Sequence, residues 1–118
     1  MIKAAVKDIN RALRSGRLRG PDVSCEYYPC HFPGQDCTWC FCPFYPCGDP
    51  SAGGKTKRLG GTRRLVWDCS RCSWIHEPKV AMEVLKGVLT LGSDVRRIPR
   101  KALLELYSEI RYQRAEAR

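Results

Sequence analysis

Residues 23–47 read VSCEYYPCHFPGQDCTWCFCPFYPC and hold six of the chain's eight cysteines: Cys25, Cys30, Cys37, Cys40, Cys42 and Cys47. The other two, Cys69 and Cys72, sit in the short run WDCSRCSW. Pro29, Pro33, Gly34, Pro43, Pro46, Gly48 and Pro50 interrupt this region so often that no helix or long ladder can run through it. Such a segment adds little to a core, and a chain of 118 residues has only one modest core to form. Cross-links must supply the missing stability, as they do in other small scaffolds. The expected fold is a small metal-stabilised α+β domain. Irregular Cys-rich loops surround two thiolate metal sites, flanked by an N-terminal helix and two C-terminal helices.

Metal is preferred over disulfides because nothing in the sequence points to export. The N-terminal run MIKAAVKDINRALRSGRLRG is charged every few residues and has no apolar stretch of the kind a secretory signal needs. No apolar run approaches the roughly 20 residues that span a bilayer. A cytoplasmic protein is expected, and in that reducing compartment clustered cysteines serve as thiolate ligands.

The spacing is C-x4-C-x6-C-x2-C-x-C-x4-C, then 21 residues, then C-x2-C. A two-residue gap lets both sulfurs turn to one ion without backbone strain. Cys37, Cys40, Cys69 and Cys72 therefore suggest one tetrahedral site, and Cys25, Cys30, Cys42 and Cys47 a second, interleaved with it. Zinc suits closed tetrathiolate sites. Clusters of the [4Fe-4S] kind also take four cysteines and are the alternative, although Cys37-x2-Cys40-x-Cys42-Pro43 matches no ferredoxin pattern. His31 and His76 are candidate extra ligands, but a lone histidine is more often a surface or hydrogen-bonded residue. A catalytic thiol would need a free sulfur of lowered pKa, and a catalytic zinc an open position; eight thiols for two sites leave neither. The protein is not expected to be an enzyme.

Ile2, Ala5, Val6, Ile9 and Leu13 recur at helical spacing over residues 2–14, with Gly16 as a stop. Pro78 suits the first position of a helix running to about Thr90, with Ala81, Met82, Leu85, Val88 and Leu89 as its apolar face. A last helix begins near Pro99, buries Leu103, Leu106, Tyr107 and Ile110, and frays in the polar tail RYQRAEAR. Leu65-Val66-Trp67 reads as a short strand into the second cysteine pair. The expected organisation is a basic helix and linker over 1–22, a metal-binding domain over 23–92 with a basic Gly-rich insert at 51–64, and a C-terminal helix over 93–118.

The formal net charge of +9 is uneven: residues 25–50 carry three acids and no Lys or Arg, and residues 51–67 carry five bases and no acid. Segments 1–19 and 55–64 could meet a phosphate backbone, which makes a nucleic-acid partner an alternative. Against it, the aromatic-rich stretch contains no Lys or Arg, so stacking and charge are not interleaved. Its rings, Tyr27, Tyr28, Phe32, Trp39, Phe41, Phe44 and Tyr45, are better read as a shield around metal–thiolate centres. Residues 51–64 (SAGGKTKRLGGTRR) read as a mobile loop. Gly54-Lys55-Thr56 resembles the end of a phosphate loop, but the required earlier glycine falls on Asp49 and no apolar strand leads in.

The run CEYYPCHFPGQDCTWCFCPFYPC, followed by WDCSRCSWIHEPKVAMEVLKGV, resembles the archaeal cysteine-rich small domain, a zinc-finger-like family of methanogens. The resemblance covers about Val23 to Leu89. Members of that family stand alone or are attached to cobalamin-salvage enzymes. The resemblance implies metal binding through all eight cysteines and a link to corrinoid chemistry, and it brings no enzymatic activity with it. The expected role is a metal-binding accessory protein that docks onto a larger, corrinoid-handling enzyme or complex. An RNA- or DNA-binding zinc module and an iron–sulfur redox or oxygen-responsive protein are the alternatives.

Overall fold

A computed structural model describes residues 2–70 and 72–113. Helix α1 spans Lys3–Ser15 and buries Ala5, Ile9, Ala12 and Leu13. Gly16 ends it at φ 66°, in the left-handed conformation that favours glycine, and its N–H donates to the Ala12 carbonyl. Ile2, expected on the apolar face, is instead 64% exposed just ahead of the first turn.

Helix α2 spans Pro78–Leu91, with proline in the first turn where no N–H is needed, and ends at Gly92. Its buried residues are Val80, Ala81, Val84, Leu85, Gly87 and Val88. That arc is wider than the sequence face and turned toward Val80 and Val84, leaving Leu89 exposed. The rotation follows from position: α2 is the central helix, packed against α1, against the 3₁₀ turn Trp74–His76, and against the last helix. Helix α3 spans Arg100–Ser108 and continues as a wider π turn over Glu109–Gln113. Leu103, Leu106, Tyr107 and Ile110 are all buried, as the periodicity predicts. At Gly87 an added Cβ would lie 2.6 Å from Leu106 Cδ1, so the glycine sets how closely α2 and α3 approach.

The three helices share one core, which takes in residues on both sides of the cysteine region. Asn10 fastens α1 to the 3₁₀ turn Val95–Arg97: its Nδ2 donates to Asp94 Oδ1 at 3.0 Å, and its Oδ1 accepts from Val95 N at 2.9 Å.

Residues 51–64 are not the loop expected. Strand β1 (Lys55–Arg58) pairs antiparallel with strand β2 (Leu65–Asp68), in the register Lys55 with Asp68 and Arg58 with Leu65. Lys-Thr-Lys-Arg has no apolar alternation to announce a strand because every residue of β1 is exposed and only the backbone ladder holds it. The expected strand at Leu65-Val66-Trp67 is present and supplies the partner. The hairpin is closed by Leu59 N donating to Arg64 O at 2.8 Å, with Gly61 at φ 73°. The Trp67 ring covers Gly54, where a Cβ would fall 2.3 Å from Cζ2. The start of the tail expected to fray is bonded to the rest of the fold: Arg111 Nη2 donates to Ser51 O at 2.7 Å, and Tyr112 OH donates to Asp49. Residues 114–118 of that tail lie outside the described residues.

Candidate metal centre

Two aromatics key the irregular cysteine region into the helical core. Trp39, between Cys37 and Cys40, is 1% exposed and donates from Nε1 to the Ala81 carbonyl at 3.1 Å. Phe44, two residues after Cys42, is fully buried with its ring edge against Tyr107. Not every ring shields: Tyr27 is 71% exposed and Tyr45 43%.

All eight cysteines are free thiols. They sort into two groups. Cys40 is pushed up to about 11 by burial of its sulfur and by the neighbouring charges of Cys37, Cys30 and Cys25. Cys42 is pushed up to about 12 by burial, and the charges it meets are those of Cys72, Cys69 and Cys47. Burial raises Cys69 and Cys72 as well, with Cys47 a contributor to both. By the charges that act on Cys40 and on Cys42, the first group is Cys25, Cys30, Cys37 and Cys40 and the second is Cys42, Cys47, Cys69 and Cys72. Among the described residues, no three Cys, His, Asp or Glu side chains lie together in a way that could hold a metal ion.

The sequence carried a signal for this grouping. Cys25-x2-Tyr28-Pro29-Cys30 repeats as Cys42-x2-Tyr45-Pro46-Cys47, and each is followed by a C-x2-C pair. Both Tyr-Pro bonds are cis. In the first copy six residues separate the two parts; in the second, 21 residues carry the β-hairpin. Read as a tandem repeat, the sequence holds two successive copies of the same cysteine pattern.

Around the first group the linker folds back onto the cysteine loop. Asp22 N donates to Cys37 Sγ at 3.3 Å, Gly20 N to Asp36 Oδ1 at 2.8 Å, and Arg19 N to Thr38 Oγ1 at 2.7 Å. Gln35 is wholly buried; its Oε1 accepts from His31 N at 2.8 Å and its Nε2 lies 3.4 Å from Cys30 Sγ. Gln35, Asp36 and Thr38 position this loop, and nothing in their sequence context sets them apart from surface polar residues. His31 Nδ1 is 3.2 Å from Cys30 Sγ, within reach of any ion that sulfur holds. Burial and the charge of His76, whose ring lies 4.2 Å away, lower the His31 pKa. His76 is buried, with Nδ1 2.9 Å from the Asp36 carbonyl, which is the hydrogen-bonded role more common for a lone histidine.

The second group is held by distant parts of the chain. Against burial, the Phe44 backbone lowers Cys42, and the Trp74 and Ile75 backbone lowers Cys72. N–H groups aimed at sulfur favour the thiolate and set the knuckle turns that thiolate sites use. Tyr45 OH donates to Trp67 O at 2.5 Å, and Arg100 donates to the carbonyls of Tyr45 (3.1 Å) and Pro46. Just beyond Cys47, Asp49 accepts from Tyr107 OH at 2.7 Å and from Tyr112 OH. A cleft of about 930 Å³ runs past this group, walled by Trp39, Trp67, Trp74 and Tyr107. Cys40, Cys42, Cys69 and Cys72 are raised by burial and by neighbouring cysteine charges, and a soft cation would remove that repulsion by binding the deprotonated sulfurs.

The chain matches the family model of the cysteine-rich small domain over residues 18–98. It belongs to that family. It is 43% identical over 94 residues to an uncharacterised protein of Methanocaldococcus jannaschii, covering 80% of this chain and 75% of that one. It is 44% identical over 97 residues to a probable cobalt-factor III C(17)-methyltransferase of Methanothermobacter thermautotrophicus, covering 80% of this chain but 26% of the relative. In that relative the matching segment lies within a longer chain. No solved structure matches. Among the described residues, no helix is long and apolar enough to cross a membrane.

Proposed function

We propose that this chain is a non-enzymatic accessory protein that holds one soft metal ion in each cysteine group and docks onto a larger enzyme acting on corrinoid precursors. The observation that carries the metal reading is the concentration of eight free thiols in the segment that matches the cysteine-rich small domain, with the Asp22 N–H donating to Cys37 Sγ. Zinc is favoured over iron–sulfur clusters because knuckle turns feeding four separate thiolates describe a closed zinc site. Bound there, zinc supplies structure: it ties the cysteine loops to the core that Trp39 and Phe44 enter.

The docking reading is supported by the methyltransferase relative, in which the matching segment is about a quarter of the chain. On that company we read this chain as a partner of the same class of enzyme. The exposed β-hairpin, with Lys55, Lys57, Arg58, Arg63 and Arg64, offers a basic surface for the contact. Nucleic acid ranks behind a protein partner: the aromatics that could stack on bases are not interleaved with those basic residues, and Trp67 is partly buried over Gly54.

The test is sedimentation of the zinc-loaded chain with a cobalt-factor III methyltransferase that lacks its own copy of the domain. A complex that survives moderate salt supports the reading. Absence of a complex, together with salt-sensitive binding to RNA or DNA, overturns it.

A further inference from the structure

The hairpin of β1 and β2 has two edges, and only one of them is covered. In an antiparallel ladder, opposed residues alternate between pairs that bond across the ladder and pairs whose N–H and C=O groups point outward. Leu59 N donates to Arg64 O at 2.8 Å, so that pair bonds inward. Lys57 faces Val66 and Lys55 faces Asp68 in the register, and these are the next inward pairs. Thr56 and Arg58 therefore turn their backbone groups away from β2. On the far side of β2, the outward carbonyl of Trp67 is taken by Tyr45 OH at 2.5 Å. On the far side of β1 there is no third strand, and among the described residues no hydrogen bond reaches the Thr56 or Arg58 backbone from outside the hairpin. The charge on this element is one-sided. Residues 55–68 carry five bases and a single acid, Asp68, which stands opposite Lys55, whereas Lys57 stands opposite Val66. The ion pairs described elsewhere in the fold belong to Asp22 and Asp94.

We propose that the open β1 edge receives an extended acidic segment of the partner protein, added antiparallel to the hairpin as a third strand. This rests on the reading that the basic hairpin meets a protein. Thr56 and Arg58 each present an N–H and a C=O, enough for about four main-chain hydrogen bonds to an added strand. The residues of that strand that bond to β1 lie opposite Thr56 and Arg58. The residue between them lies opposite Lys57 and on the same face, where a carboxylate meets an ammonium that β2 leaves without an acid. A segment alternating Asp or Glu with uncharged residues satisfies both the ladder and the charge. The bases also decide against other occupants. Lys and Arg on an edge strand guard against pairing with a like strand, and a second copy would bring five bases against five. A phosphate backbone would meet the charges but has no N–H groups to bond the Thr56 and Arg58 carbonyls.

The test titrates the full chain, purified without oxygen, into a fluorescent peptide of alternating Glu and Thr and follows anisotropy. A second peptide with proline at every Thr keeps the charge and removes the N–H groups that would reach β1. The Glu–Thr peptide should bind about tenfold or more tightly than the proline peptide. In the chain, Thr56→Pro removes an outward N–H and leaves the β1–β2 ladder its own bonds, and it should weaken the Glu–Thr peptide by a similar factor. Amide hydrogen exchange followed by NMR should show new protection at Thr56 and Arg58 in the wild-type chain when the peptide binds. Equal affinity for the two peptides, or binding of neither, overturns the third-strand inference. So does dimerisation of the chain through this edge, or binding of single-stranded RNA in its place. Peptide binding at the edge by a chain that forms no complex with the methyltransferase upholds the strand site and overturns only the choice of enzyme.

Discussion

Replacing Trp39 with alanine should cost about 3–5 kcal/mol, the range for removing a large aromatic from a packed interior. The side chain is 1% exposed and belongs to the same cluster as Val84, Leu85 and Val88 of α2. Its Nε1–H donates to Ala81 O at 3.1 Å. That carbonyl also serves the helical ladder, so losing the indole leaves it bonded and adds no more than about 1 kcal/mol. Trp39→Phe keeps most of the apolar surface and should cost about 1–2 kcal/mol. The assay is urea denaturation followed by far-UV circular dichroism, with zinc in fixed excess so that binding contributes equally to each variant. Tyr27→Ala, at a position 71% exposed, is the control and should stay within about 0.5 kcal/mol of wild type. If Trp39→Ala lies within about 1 kcal/mol of wild type, Trp39 does not lock the cysteine loop to the helices and the reasoning fails.

Asn10→Ala leaves the N–H of buried Val95 without its acceptor and should cost about 1–3 kcal/mol in the same denaturation assay. Gly54→Ala puts a Cβ 2.3 Å from the Trp67 ring, so the hairpin must shift; a loss of about 1–3 kcal/mol and an altered tryptophan emission spectrum are expected. For Asp49, burial pushes the pKa up, but the hydroxyls of Tyr112 and Tyr107 and the Ser51 contacts outweigh it and bring it down to about 2. Asp49→Asn should cost about 1 kcal/mol at neutral pH, kept small because the carboxylate is largely screened by solvent. Because the folded pKa is depressed, that difference is complete above the ordinary value of 3.8 and narrows only as the pH falls toward about 2, which a pH series of unfolding curves will show.

The helices were legible because their signals are local. Gly16, Pro78 and the Leu103–Ile110 stripe each act through a backbone preference or a period that a short window contains. The arc of α2 was misjudged because what buries Val80 and Val84 is not in that window: α1, α3 and the cysteine region press on the helix from several sides. Strand β1 was invisible for a related reason, since four exposed polar residues are made a strand only by the partner ten residues on. At the candidate site, cysteine identity was plain but grouping was not. C-x2-C pairs attract attention as self-sufficient half-sites, whereas the repeated C-x2-Tyr-Pro-Cys unit supports the consecutive grouping proposed above. Gln35 and Asp36 could not have been picked out, because a polar residue is marked as structural only by the burial and hydrogen bonds that the fold supplies.

The most direct test of the account is the metal content of the full chain, purified without oxygen, beside that of the Cys25→Ser/Cys40→Ser double variant. Both substituted residues lie in the first group, so the account predicts about two zinc ions in the wild type and about one in the variant, with the second site intact. No retained metal in the wild type would contradict the proposed metal centre, and brown protein with about eight irons would replace zinc with two four-iron clusters. Loss of both ions from the double variant would show that Cys25 and Cys40 serve different sites, and would overturn the consecutive grouping.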